Sequence, residues 1–257
     1  AAVTSSSPSM SPAFNTNDVS FAPLAISSST GDSTAIAAAF DGYNGTTATV
    51  IATNLDAASI AVVAANVAKI ATNGITGTIS LLGSQFTTLT TAINATATLI
   101  VSDTSIAATV LTAMDSKSSN AVDASSVSTI TGTSAQVASV VGASGITKSS
   151  NYSVTLSDAP TIAQLTTIDN ANGSGTLTYS GVADAAANVD NATDSAYEST
   201  GVAVSVTDAM TIAQWTAIDT LWGTVTATGG VADAAANVDN ATDSAYELSL
   251  IHISEPT

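Results

Sequence analysis

Apolar residues in this chain recur at helical spacing in short stretches. Between the stretches lie runs that alternate apolar and hydroxyl residues. From 56 to 73, DAASIAVVAANVAKIATN places Ile60, Val63, Val67 and Ile70 at i, i+3, i+7 and i+10, one face of a helix. Asp56 is placed to cap it and Gly74 to stop it. Weaker stripes predict helices in STAIAAAFDGY (Ile36 and Phe40 inward), SQFTTLTTAIN (Phe86, Leu89, Ile93), SIAATVLTAMD at 105–115 and SAQVASVVGASG (Val137, Val140, Val141). ATVIAT (48–53), GTISLL (77–82), ATLIVS (97–102) and YSVTLS (152–157) alternate with β-branched residues and predict strands, and AVDASSVSTIT (121–131) predicts a less regular one.

Towards the C-terminus the pattern becomes a repeat. VADAAANVDNATDSAYE occurs at 182–198 and again, identical over all 17 positions, at 231–247. SDAPTIAQLTTID (157–169) matches TDAMTIAQWTAID (207–219), and GTLTYSG (175–181) matches GTVTATGG (223–230). The offset is 50 at the first Asp (208 − 158) and 49 at the Val that opens the identical stretch (231 − 182). A fixed period of this kind marks a repeat array. Each period splits into two similar halves of strand, tight turn and short helix. In the first half Ile162, Leu165 and Ile168 form the stripe; in the second, Val182, Ala185, Ala186 and Val189 do. Asp158, Asp208 and Asp103 fall at one equivalent position after a strand, where each is expected to cap the helix that follows it.

Strands beginning near 48, 77, 97, 121, 152, 176, 203 and 224 define about eight coils. Consecutive strands joined through a helix are parallel, with right-handed crossovers. So little sequence per coil predicts an α/β fold, a right-handed solenoid of strand–short helix coils over 31–247 with one parallel sheet. The alternative is an all-β parallel β-helix, in which the Thr-rich segments are further strands, because Thr is a poor helix former. Residues 1–30 are Ser/Thr/Pro-rich and read as a linker or a frayed first coil. They have no basic segment followed by an apolar one, so they do not read as a signal peptide. LSLIHISEPT (248–257) breaks the repeat at Leu248 and resembles translated sequencing-adapter read-through. The expectation is that this tail is non-native, that the chain is cut from a longer repeat protein, and that Ser249–Ile253 forms at best a poor terminal strand.

Composition narrows the function. Net charge is −17 with three basic residues in 257, all of them Lys. Nucleic acid and anionic membranes, which need clustered cations, are excluded as partners. No apolar run reaches the length of a membrane span. Cys is absent, so thiol chemistry and disulfides are too. Ser and Thr number 77, while charged residues are 9%, far below the usual ~25%, so hydroxyls cover the surface where ion pairs ordinarily would.

Few residues offer chemistry. Asp190, Asp194 and Glu198 are spaced i, i+4, i+8, with copies at Asp239, Asp243 and Glu247. Grouped carboxylates in a loop could bind Ca²⁺, although no EF-hand or Gly-rich calcium-binding nonapeptide is present; the competing reading is a solvated capping loop. His252 is the only His and lies in the tail, so no catalytic triad or His-ligated metal has candidates. Trp215 replaces Leu165 on the inward stripe. Trp222, in the turn after that helix, is expected to be exposed, where it could contact a sugar. Tyr197 and Tyr246 are equivalent and expected to pack over a coil edge.

From about 97 to 247 the hydroxyl-rich strand, S/T-D, the IAQL-type helix ending in Ile-Asp, and GTVTATGGVADAAANV resemble the repeats of very large cell-surface proteins of marine cyanobacteria. The resemblance implies a secreted, extracellular or cell-surface location and a structural or adhesive role without catalysis. It also implies neighbouring repeats of the same parent chain as partners, and cell-envelope glycans as further ones. A Ca²⁺-stabilised adhesin module and a glycan-binding or glycan-cleaving β-helix are the alternatives.

Overall fold

A computed structural model of the chain describes residues 24–29, 33–190, 197, 201–234 and 237. Expectations for 1–23 and for the 248–257 tail lie outside these residues. The elements begin with β1 (Ala25–Ser29), α1 (Ser33–Asp41), β2 (Ala48–Leu55), α2 (Ala57–Ala65), β3 (Ile70–Leu81), α3 (Gly83–Leu89) and β4 (Thr98–Val101). Next come β5 (Ser105–Ala107), α4 (Ala108–Lys117), β6 (Val122–Ala124), β7 (Thr129–Gly132), α5 (Ser134–Gly142), β8 (Ile146–Lys148) and β9 (Ser153–Leu156). The chain continues through α6 (Ile162–Asn172), β10 (Leu177–Thr178), β11 (Gly181–Asp184), α7 (Ala186–Val189), β12 (Ala203–Val206), α8 (Ile212–Leu221) and β13 (Thr224–Ala227).

This is an α/β fold with parallel sheets. Where the sequence pattern predicts one sheet, the described residues form three, in the orders β1-β2-β3-β4-β6-β8, β10-β9-β7-β5 and β11-β12-β13. Every strand pairing in them is parallel. Partners lie one strand–helix unit apart: Thr78 pairs with Thr98 (98 − 78 = 20), Val122 with Ile146 (146 − 122 = 24) and Gly181 with Ala203 (203 − 181 = 22). Parallel neighbours need a crossover, and most of the helices supply one.

Several segments carry a second strand that the pattern did not separate. Residues 121–131 form two, β6 and β7. Between them the Asp123 carboxylate accepts from Ser125 N–H (3.0 Å) and Ser125 Oγ (2.6 Å), which turns the chain. Ser105–Ala107 is a strand and not the first turn of α4. Val182 to Asp184 is likewise strand, so the stripe beginning at Val182 is split and α7 keeps only Ala186–Val189. The helix from 57 stops at Ala65, where Asn66 Nδ2 bonds back to Val62 O (3.0 Å). Val67–Lys69 then tightens into a single 3₁₀ turn, and Ile70 joins β3 and pairs with Ala48, so the α-helix does not continue through Val67 and Ile70.

The Thr-rich segments are helices and not the strands that the all-β alternative needs. Their hydroxyls bond one turn back, Thr166 to Ile162 O (2.9 Å), Thr167 to Ala163 O (2.9 Å) and Thr216 to Ile212 O (3.0 Å), so they stay satisfied inside a helix. One continuous core runs between strands and helices. Of the residues expected inward, Ile60, Val63, Leu89, Val137, Leu165, Ile168, Val189 and Trp215 are buried, as are Leu111 and Ile218 on the stripes of α4 and α8, while Val67, Val141 and Ala185 are half-buried. Gly77, at φ +90°, lets β3 pass β2, since a Cβ there would sit 1.9 Å from Ala52 O.

Candidate functional site

Each helix start poses the same physical problem: its first N–H groups have no partner within the helix. Three helices solve part of it in one way. Thr133, Thr161 and Thr211 are the N-caps, and each hydroxyl accepts the N–H three residues on, from Gln136 (3.3 Å), Gln164 (3.2 Å) and Gln214 (3.2 Å). Each glutamine carbonyl accepts the cap residue's own N–H, at 3.0, 2.9 and 3.0 Å.

The first helical N–H is met from elsewhere. Asp158 accepts Ser134 N–H at 2.7 Å, Asp184 accepts Ile162 N–H at 2.9 Å, Asp208 accepts Ala186 N–H at 2.7 Å and Asp233 accepts Ile212 N–H at 3.0 Å. Asp103 does the same for Gly83 at 2.7 Å. In every case the aspartate belongs to the unit after the helix it serves. Asp103, Asp158 and Asp208 therefore do not cap their own helices as their sequence position suggests; they cap the preceding ones. The reason is local. Thr161 and Thr211 already occupy the N-cap positions, and Asp158 stands four residues before Ile162, too far upstream to reach its own helix start. A carboxylate so placed also meets the positive end of the helix dipole.

Asp184 does more. Its Oδ1 accepts its neighbour Ala185 N–H (2.8 Å) and the Asn188 amide (2.8 Å), while Oδ2 holds Ile162, so one buried carboxylate serves two consecutive helices. Asp233 repeats the arrangement with Ala234 (2.7 Å) and Asn237 (2.7 Å). The Asn237 amide, followed by the Ala234 and Ile212 N–H groups, holds the Asp233 carboxyl below the usual carboxylate range. The 50-residue period is thus two units with different helix starts, a Thr-x-x-Gln capping box in one and, in the next, an Asp-x-x-x-Asn pair whose Asp stands just ahead of the N-cap Ala185. The series is broken at α4. Among the described residues no aspartate meets its first N–H; Gly132 lies over that helix start, where a Cβ would stand 3.3 Å from Ala108 Cβ.

The three lysines also bond protein oxygens. Lys148 donates to Val140 O (3.2 Å), Ala143 O (3.0 Å) and Ile146 O (3.0 Å), closing the C-terminal end of α5 with a cation. Burial pulls its pKa below the ordinary lysine value, against the opposing pull of Asp115. Lys69 reaches Phe40 O in α1, and Lys117 reaches Asn73 Oδ1 (3.2 Å).

Of the candidate Ca²⁺ ligands, Asp190 is half-buried at the C-cap of α7. Asp194, Glu198, Asp239, Asp243 and Glu247 lie outside the described residues, as do Tyr246 and His252. Among the described residues no group of three or more His, Cys, Asp or Glu is placed to hold a metal ion. Trp222 is not exposed. It is 1% accessible, and its indole Nε1 donates to Val189 O (3.2 Å), tying α8 to the preceding unit. Tyr197 is half-buried against the core. No helix among the described residues is long and apolar enough to cross a membrane. Compared with known proteins, the chain matches no family model, no curated protein and no solved structure.

The lone signal of inter-unit capping in the sequence is spacing. Asp158, Asp184, Asp208 and Asp233 follow one another at 26, 24 and 25 residues (184 − 158, 208 − 184, 233 − 208), the length of one unit. The carboxylates act as fixed acceptors for backbone donors, and the chemistry they perform is attachment of one unit to the next.

Proposed function

We propose that the chain is a structural or adhesive repeat segment of a large secreted bacterial cell-surface protein, without catalytic activity, folded as a right-handed α/β solenoid. The observation that carries this reading is the aspartate series. Asp158, Asp184, Asp208 and Asp233 each complete the helix of the unit before, so a unit is finished only by its successor. That is the construction of an array in which each repeat contacts its neighbours. The identical stretches at 182–198 and 231–247 support the same view, because interchangeable units need interchangeable contacts. Right-handed coiling is what parallel strands joined through helices adopt. The resemblance to cyanobacterial surface-protein repeats supports the location, and neighbouring repeats of the parent chain are the first partners.

The location is tested with antibodies raised against this chain and applied to cells of the source organism. Labelling of intact, unpermeabilised cells is expected. Labelling that appears only after permeabilisation would overturn the assignment.

A further inference from the structure

The aspartates that join the units give the array a direction. Asp233, Asp208, Asp184 and Asp158 accept the first N–H of α8, α7, α6 and α5, in each case the helix before them. When two neighbouring units part, the bond lost is the same from either side, but what remains differs. The earlier unit keeps a helix whose first donor has lost its acceptor. The later unit keeps a carboxylate that water solvates, and its own helix start is untouched. In α6 and α8 that start is closed from within, by Thr161 with Gln164 and by Thr211 with Gln214. Trp222 has the same polarity, since its Nε1 donates back to Val189 O in α7. Loss of a unit therefore uncaps the helix before it and leaves the helix after it capped.

Two features set how far this runs. At α4 no aspartate among the described residues meets the first N–H, and Gly132 stands there instead. Loss of the α5 unit thus takes no cap from α4. Strand pairing changes along the same direction. Units joined through β4, β6 and β8 are joined again through β5, β7 and β9, two ladders per joint. Among the described residues β9–β10, β11–β12 and β12–β13 are single ladders, and the first has only two residue pairs. At the joint of α6 and α7, Pro160 has no N–H to give and only accepts from Ala183 N–H (3.0 Å). Its counterpart Met210 (210 − 160 = 50) both donates to Gly230 O (3.2 Å) and accepts from Ala232 N–H (2.9 Å). Cys is absent, so no disulfide crosses any joint. In an array whose stability sums unit and nearest-neighbour terms, such asymmetry sets the order of opening. We propose that the chain opens in one direction, unit by unit from α8 back to α5, and holds at α4, so that tension between its ends lengthens it stepwise while its N-terminal part stays folded. Nothing in this behaviour requires a particular cellular location.

Native-state hydrogen exchange of the full chain in sub-denaturing urea, read by peptide mass spectrometry, gives the order of opening. Protection should rise from α8 and α7 through α6 and α5 and step up at α4. Equal protection throughout, or a rise in the opposite order, would overturn the proposal. Two variants separate direction from simple capping. Asp208→Ala should speed exchange roughly tenfold or more in α8 as well as α7, because opening the α8 unit no longer has to break the bond to Ala186. Asp103→Ala removes the acceptor of Gly83 N–H in α3 and should leave exchange in α5 to α8 unchanged, since those units open with α3 still folded. Acceleration confined to α7 in the first variant, or reaching α8 in the second, would refute the direction. Stretched between optically trapped beads, the full chain should lengthen in low-force steps, each releasing the length of one unit, before the N-terminal part yields. A single all-or-none extension would refute the stepwise lengthening.

Discussion

Asp184→Ala is the substitution that most sharply separates inter-unit capping from ordinary helix capping. The carboxylate is 7% exposed and accepts three bonds, two from its own unit and one from Ile162 N–H, 22 residues earlier. Hydrogen bonds to charged groups contribute ~1.5–3 kcal/mol, and a buried donor left unpaired costs its desolvation. Losing Ile162's acceptor therefore costs about 1.5–3 kcal/mol. Losing the bonds from Ala185 N–H and the Asn188 amide at the start of α7 adds ~0.5–2 kcal/mol. The sum is about 2–5 kcal/mol, read from urea unfolding curves. Asp184→Asn keeps the shape and one carbonyl acceptor, and should fall between the alanine variant and the parent. The decisive readout is amide hydrogen exchange at Ile162. Its protection should drop in Asp184→Ala although Ile162 lies in another helix. A loss below about 0.5 kcal/mol with Ile162 exchange unchanged would refute the reasoning.

Three further outcomes follow from the packing and the charges. Leu165→Ala, in a fully buried stripe position, should cost ~2–5 kcal/mol by denaturant unfolding. Tyr152→Phe should leave the melting temperature unchanged or raise it, because the phenol oxygen is buried without a hydrogen-bond partner among the described residues. Asp123 and Asp233 have folded pKa values held below the ordinary carboxylate value, by the Ser125 and Asn237 side chains first. Their contribution is fully present above the unfolded value of ~3.9 and is lost as pH falls through the folded values. Thermal melts should therefore be flat across the mildly acidic range and decline below about pH 4, and Asp123→Asn should soften that decline.

Periodicity revealed the units because burial demands it. Ile162, Leu165 and Ile168, and Ile60 with Val63, are inward for the reason their spacing indicates. Periodicity failed where two periods share the same residues. Val182 and Val189 fit one helical stripe, yet Val182 pairs with Val204 in a strand and only Val189 is helical. Val67 and Ile70 extend the α2 stripe on paper, but Ile70 is needed beside Ala48. The role of Asp158 was half legible. Its affinity for a helix N-terminus follows from its chemistry, whereas which helix it meets depends on how units stack. Trp222 was misplaced for the same reason, since Val189 O lies 33 residues away and no local pattern announces it.

The central claim is that each unit adds one strand layer and is completed by its successor. Inserting a second copy of residues 182–230 after Gly230 adds two such units in register, ahead of the identical Val231. At about 4.8 Å per strand layer, the array should lengthen by roughly 10 Å. Small-angle X-ray scattering on the parent and extended chains measures this directly. The account predicts a longest dimension greater by about that amount, an unchanged cross-section, and a melting temperature equal or higher. An enlarged cross-section, or the broad scattering of a flexible insertion with a lower melting temperature, would contradict it.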